Sequence, residues 1–287
     1  MGRHTVSQIR TVKRGGSRFY HNPETRVSVP GVTSVIGMLP KEFLGFWRAK
    51  LAAELAVDSL DFIKDMADRG GREAAVDYLK GAAGRYTKAR AGIGSEAHDI
   101  FERMIRGEHV GRQRSDLEPY RLNFQEFMDV VQPELAGAED IAWSDTHGYA
   151  GSYDAMAWIW LALDANGTLR VDRENGTRTL VMCDWKTGAN TYPDVALQLS
   201  AYENADRIIH ADGTESPMPE FGGSAVLHIT ADQWTFKPIN TGPEVFAVFL
   251  ALRKVFEWDR NISKDVIGRP LAGSSDKLTT GTQRRGR

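Results

Sequence analysis

The chain has 287 residues, 41% hydrophobic and 26% charged, and its 36 Lys and Arg against 38 Asp and Glu leave a net charge of −2. That balance fits a globular protein and excludes one that coats nucleic acid by bulk positive charge, while leaving room for a local basic groove. A single cysteine, Cys183, excludes an internal disulfide, and an iron–sulfur cluster or cysteine zinc site would need several thiolates.

Residues 1 to 28 are polar and basic, and GGSRFYHNPET predicts a loop or hairpin. After the Pro30-Gly31 break, Val32, Val35, Ile36 and Leu39 recur at helical spacing. KEFLGFWRAKLAAELAVDSL predicts an amphipathic helix with Phe43, Phe46, Trp47, Leu51 and Leu55 as a core-facing stripe, and Arg48 and Lys50 beside it for phosphates. Helix continues to Lys80, and a glycine-rich break follows. GIGSEAHDIFERMIRG then predicts a helix capped at Ser95, and residues 117–131 predict another. From Glu139 the texture changes: IAWSDTHGYAGSYDAMAWIWLAL alternates and is rich in Trp, Tyr and Ile, which predicts strands. Asn166-Gly167 and DRENGT predict turns around a short strand TLRV. RTLVMCDW predicts a central strand, apolar on both faces. PDVALQLSAYENADRII predicts a helix with proline at its start, SAVLHIT and QWTFKPI two strands, and GPEVFAVFLALRKVFEWDR a closing helix. Residues 262–287, ending in QRRGR, predict a disordered basic tail.

The expected fold class is therefore α/β, a mixed sheet flanked by helices with a helical N-terminal half. It forms one domain over residues 1–261: a mainly helical part (30–132), a β-sheet core (133–240) and a closing helix (241–260). No stretch reaches the ~20 apolar residues of a membrane span, and MGRHTVSQIR lacks the apolar core of a signal peptide. The expectation is a cytoplasmic protein without a membrane partner.

Alternate side chains of a strand share a face, so Asp184 and Lys186 point one way and Trp185 the other, with Gly188 turning the chain directly after. On the preceding hairpin Asp154 lies in GYAGSYDAMAW, where Gly148 and Gly151 mark a tight approach. Two carboxylates and one ammonium in a shared pocket suit a hard divalent cation, such as Mg²⁺, with phosphate oxygens as its other ligands.

These residues resemble the PD-(D/E)XK nuclease superfamily, in its RecB-like exonuclease branch with phage and CRISPR-associated relatives. GSEAH ends on His98, GSYD on Asp154, DWK spans Asp184 to Lys186, and QLSAY spans Gln198 to Tyr202, all in the family's order. The resemblance implies a restriction-endonuclease-like sheet and a metal-dependent DNA exonuclease that leaves a 5′-phosphate. His98, Asp154, Asp184 and the Trp185 backbone carbonyl would bind two Mg²⁺ or Mn²⁺ ions. Lys186 would be the catalytic lysine, with Asp184 and Asp154 in the catalytic set. Gln198 and Tyr202 would line the site and touch the scissile strand. Glu139 is a further candidate to reach the metals or orient His98. The chain lacks the cysteines of cluster-bearing relatives, so the implied member has no iron–sulfur cluster. It also lacks a G-x-x-x-x-G-K-[ST] motor motif, so a helicase or recombination protein is an implied partner. The implied substrate is linear DNA with free ends. A non-catalytic DNA-end-binding protein and a structure-specific endonuclease on the same scaffold are the competing expectations.

Overall fold

The computed structural model describes residues 9–268 and 271–272. A hairpin of β1 (Arg10–Arg14) and β2 (Ser17–His21) opens it. Its turn residues, Gly15 and Gly16, both have positive φ, +55° and +77°, the conformation a two-residue hairpin turn demands. β3 (Ser28–Pro30) pairs with β2 to complete a small antiparallel sheet, and the short α1 (Val32–Ile36) follows. The helical half then runs through α2 (Phe43–Asp58), α3 (Leu60–Gly70), α4 (Arg72–Lys80), α5 (Ala82–Ile105) and α6 (Glu118–Val131).

The second half is mostly strands: β4 (Glu134–Ala138), β5 (Ile141–Ser144), β6 (Tyr149–Ser152), β7 (Ala155–Leu163), β8 (Leu169–Val171) and β9 (Thr177–Lys186). After α7 (Asp194–Glu203) come β10 (Arg207–Ile209), β11 (Glu215–Pro217), β12 (Gly223–Ile229) and β13 (Trp234–Ile239), then α8 (Pro243–Arg260). The central sheet has the order β13-β12-β9-β7-β4, with β8 paired to β7. β12 lies parallel to β9, and the other pairs are antiparallel, so the sheet is mixed. The parallel pair needs a long crossover, and α7 with β10 and β11 supplies it. Those two strands join β5 and β6 in a second antiparallel sheet of order β11-β10-β5-β6.

Two cores cover the two faces of the central sheet. On one face Leu180, Met182, Met156 and Val226 pack against α1, α7 and α8. On the other Val181, Cys183, Trp185 and Leu227 pack against α5 and α6. There Phe124 and Phe127 meet the Trp185 ring edge-on at 5.8 and 5.9 Å. Each such buried side chain contributes roughly 1.5–3 kcal/mol. β9 is thus central and apolar on both faces, as its sequence predicts.

Four expectations need correction. The helix expected from Ser95 begins at Ala82, so Ser95 lies inside α5. The glycines that suggested a break are tolerated within it. A Cβ at Gly94 would come 3.1 Å from Thr187 Oγ1, so this glycine lets the helix approach the end of β9. The Phe43–Leu55 stripe is not core: α2 has no buried residue, and Phe43 and Phe46 are 51% and 79% exposed. The helical period holds, but the stripe is only half covered: Trp47 meets the Tyr86 ring of α5 edge-on at 5.8 Å, Phe43 stacks on Tyr192 at 5.9 Å, and Leu51 and Leu55 are half-buried. The helix expected through Ile209 stops at Glu203. Arg207–Ile209 instead pairs with Ile141–Trp143, because Ile208 and Ile209 are buried by joining β5. Finally, a 3-10 turn at Ile262–Lys264 extends α8 into the expected tail, whose QRRGR end lies outside the described residues. Among the described residues no helix is long and apolar enough to cross a membrane.

Candidate active site

The β7–β9 ladder ends at Ala155↔Cys183. Two residues beyond Cys183, the Trp185 N–H finds a side chain: Asp154 Oδ2 accepts that bond at 2.6 Å. This contact fixes Asp154 against the end of β9, and its other oxygen, Oδ1, lies 3.4 Å from His98 Nδ1 on α5. The Trp185 side chain meanwhile points into the opposite core, as strand alternation requires.

Asp184 and Lys186 share the other face of β9. Asp184 is 1% exposed, and its Oδ2 lies 2.5 Å from Lys186 Nζ. This ion pair is the polar contact of that buried oxygen. Asp184 Oδ1 accepts from Gln198 Nε2 at 2.8 Å, and Gln198 Oε1 accepts from Lys186 Nζ at 3.3 Å. The same Nε2 donates to Tyr202 Oη at 3.2 Å, one turn along α7. Gln198 therefore holds acid, ammonium and phenol in one network. Close packing of α7 depends on Gly151, where a Cβ would stand 2.6 Å from the Tyr202 ring. This is the tight approach that the glycines of GYAGSYD predict.

Glu139 completes the arrangement. It sits in the turn between β4 and β5 at φ +56°, an uncommon conformation for a residue with a side chain. Its N–H lies 3.1 Å from Tyr153 O and 3.3 Å from Asp154 O, and Ser152 Oγ donates to its Oε2 at 3.3 Å. Among the described residues, His98, Glu139 and Asp154 form a group whose ligand atoms all lie within 4.8 Å of one another, the span of a metal site. Asp184 is not in that group; its oxygens are engaged by Gln198 and Lys186.

The expected residues thus form two adjoining clusters, His98–Asp154–Glu139 and Asp184–Lys186–Gln198–Tyr202. Trp185 joins them by its N–H. Electrostatics couples the two. Burial, opposed by Lys186 and reinforced by Asp154, pushes the Asp184 carboxyl up to about 6. Desolvation, with repulsion from Asp154 and Glu102, pushes Glu139 up to about 7. Burial lowers the His98 pKa, but its contact with Asp154 and the charges of Asp154 and Asp184 outweigh that, and the net shift is upward. Burial is the main cause at both carboxyls, and repulsion from Asp154 adds to it. An added cation would favour the ionised forms, and one imidazole with the three carboxylates of Asp154, Glu139 and Asp184 fits that role.

The positioning residues were not foreseen in the sequence. His98 and Glu102 on α5, and Arg106 directly after its end, repeat every fourth residue. Glu102 accepts from Arg106 Nε at 2.9 Å, and Arg106 Nη2 donates to Ala138 O at 2.7 Å, next to Glu139. The i, i+4 spacing was the available signal. The partner on β4 was not visible.

No protein-family model matches the chain, and no curated protein matches it. A functional reading accordingly stands on the geometry of these clusters.

Proposed function

We propose that the chain is a metal-dependent DNA exonuclease of the PD-(D/E)XK type, RecB-like and free of an iron–sulfur cluster. The observation that carries this reading is the Asp184–Lys186–Gln198–Tyr202 network set beside His98, Asp154 and Glu139. A strand-end acid and lysine are costly to bury unless a cation and a phosphate complete the set.

His98, Asp154 and Glu139 would hold one ion. Asp184, with the Trp185 backbone carbonyl, would extend the set toward a second. Glu139 thereby moves from a peripheral candidate to a ligand. A mixture of imidazole and carboxylate suits Mn²⁺ as well as Mg²⁺. When bound, such an ion lowers the pKa of a coordinated water and takes up charge on phosphoryl oxygens.

The chain's own groups supply the rest. Lys186 is one-third exposed, so its ammonium can leave Asp184 and meet a phosphate or the attacking water. Gln198 holds Lys186 toward the site in the meantime. Tyr202 is buried, and burial raises its phenol well above the usual value, so it stays a neutral donor. The Asp154–Trp185 bond keeps the end of β9 in register with the turn that carries Asp154.

The test is cleavage of linear DNA with Mg²⁺ or Mn²⁺ by the wild-type protein and by Asp184→Asn and Lys186→Ala. Loss in both variants supports the site. Unchanged cleavage in both overturns it. Covalently closed circular DNA separates an exonuclease from an endonuclease, and binding without cleavage under either metal would mark an end-binding protein.

A further inference from the structure

A polar cavity of about 360 Å³ lies where the β1–β2 hairpin meets α1 and the end of α8, and none of the acidic-cluster residues lines it. Lys13, Arg18 and Arg260 line it together with the hydroxyls of Ser17, Thr33 and Ser34. Three cations in one concavity repel one another, so their gathering calls for negative charge. Little is supplied from within. Among the described residues no carboxylate pairs with Lys13 or Arg18, and Asp259 Oδ2 stands 3.4 Å from Arg260 Nε. That Nε is buried and makes no hydrogen bond. The remainder of the guanidinium is held in place, with Nη2 donating to Ser17 Oγ at 2.7 Å. Ser34 is fixed as well: its Oγ accepts from the Arg18 N–H at 2.8 Å. The cavity therefore sets a guanidinium held in place by Ser17 beside two cations that no described carboxylate pairs, an arrangement that suits a phosphate group.

The cavity also has a fixed relation to the acidic clusters. β2 runs from Ser17 and Arg18 to Tyr20, whose hydroxyl accepts from the Ser152 N–H at 3.2 Å, two residues before Asp154. Three strand residues span about 10 Å. Val32, the neighbour of Thr33, packs at Gly151, where a Cβ would stand 3.2 Å away.

We propose that this cavity is a phosphate-binding subsite that holds a DNA strand a few nucleotides from the metal centre. This rests on the nuclease reading for its partner, but not for its chemistry. A terminal phosphate and a backbone diester present the same oxygens, and both are candidates.

The experiment uses the full-length protein and a Lys13→Ala/Arg18→Ala variant. Both side chains are exposed, and Arg18 contacts Ser34 through its backbone, so folding should be retained. Calorimetry with inorganic phosphate in EDTA reads the cavity alone. Anisotropy with labelled linear DNA, in EDTA and over a range of salt, reads the strand. The wild-type protein is expected to bind phosphate, and phosphate to compete with DNA. The variant is expected to lose both effects, to bind DNA about tenfold more weakly, and to show a salt slope reduced by about 0.9 for each duplex phosphate contact removed. In cleavage, KM should rise with kcat unchanged. A variant that binds phosphate and DNA as the wild type does would overturn the proposal. DNA with phosphorylated or hydroxyl ends separates the two sources: an effect confined to phosphorylated ends assigns a terminal phosphate, and an equal effect assigns a backbone diester. Asp184→Asn keeps the readings separate. If it still cleaves, the nuclease site is wrong, while phosphate calorimetry still judges the cavity.

Discussion

Asp184→Asn should make the metal-free protein more stable at neutral pH while abolishing cleavage. The wild-type carboxyl is pushed up to about 6 by burial, against an ordinary value of about 3.9, a difference of roughly two units. At 1.36 kcal/mol per unit, keeping it ionised above pH 6 costs the folded state at most about 3 kcal/mol. The folded protein binds this proton more tightly than the unfolded chain. Stability from this group is therefore greatest at low pH and falls as pH rises from about 4 to about 6. Asparagine removes the charge, keeps an acceptor for Gln198 Nε2, and turns an amide toward Lys186, whose partly exposed side chain can swing to solvent. Urea unfolding in EDTA should give the variant an advantage of about 1–3 kcal/mol at pH 7.5 that shrinks toward zero by pH 4.5. Saturating Mn²⁺ should reverse the order at pH 7.5, since the wild type alone keeps the full ligand set. A variant destabilised by more than about 1 kcal/mol at both pH values would refute the reasoning, because Asp184 would then be a net structural contributor.

Lys186→Ala removes the cation beside a buried carboxylate. It should lose cleavage and be destabilised by about 3 kcal/mol at pH 7.5 in EDTA, with much of the loss recovered near pH 5 as Asp184 takes up a proton. Glu139→Gln should weaken Mn²⁺ binding at least tenfold by calorimetry. It should also raise metal-free stability above pH 7, because the raised Glu139 carboxyl, like Asp184, disfavours the fold once ionised. Gly151→Ala must displace the Tyr202 ring from 2.6 Å, and denaturant unfolding should show a loss of about 1–3 kcal/mol along with reduced cleavage. Phe46→Ser, at an exposed position of α2, should change stability by less than about 0.5 kcal/mol, whereas a core residue would cost several times more.

What the sequence determined by itself is what local periodicity encodes. Strand alternation is enough to place Asp184 with Lys186 and to turn Trp185 away, and helical spacing is enough to put Gln198 beside Tyr202. The apolar run RTLVMCDW announces a central strand, and the turns at Asn166-Gly167 and Gly15-Gly16 follow from residues that tolerate positive φ. Only the tertiary structure decided which of these faces meet. Glu139 reaches His98 and Asp154 because a strained turn between β4 and β5 is pinned to the backbone of Tyr153 and Asp154, more than a dozen residues away. The apolar stripe of α2 looks like core by spacing yet is only half covered, with no residue of α2 fully buried, and Arg207–Ile209 leaves the helix because pairing with β5 buries two isoleucines. The basic cavity draws on Lys13, Ser34 and Arg260, which no sequence motif links. Period and turn chemistry act over a few residues, whereas convergence of charge depends on packing between distant segments, and that energy is not written in any single stretch of the chain.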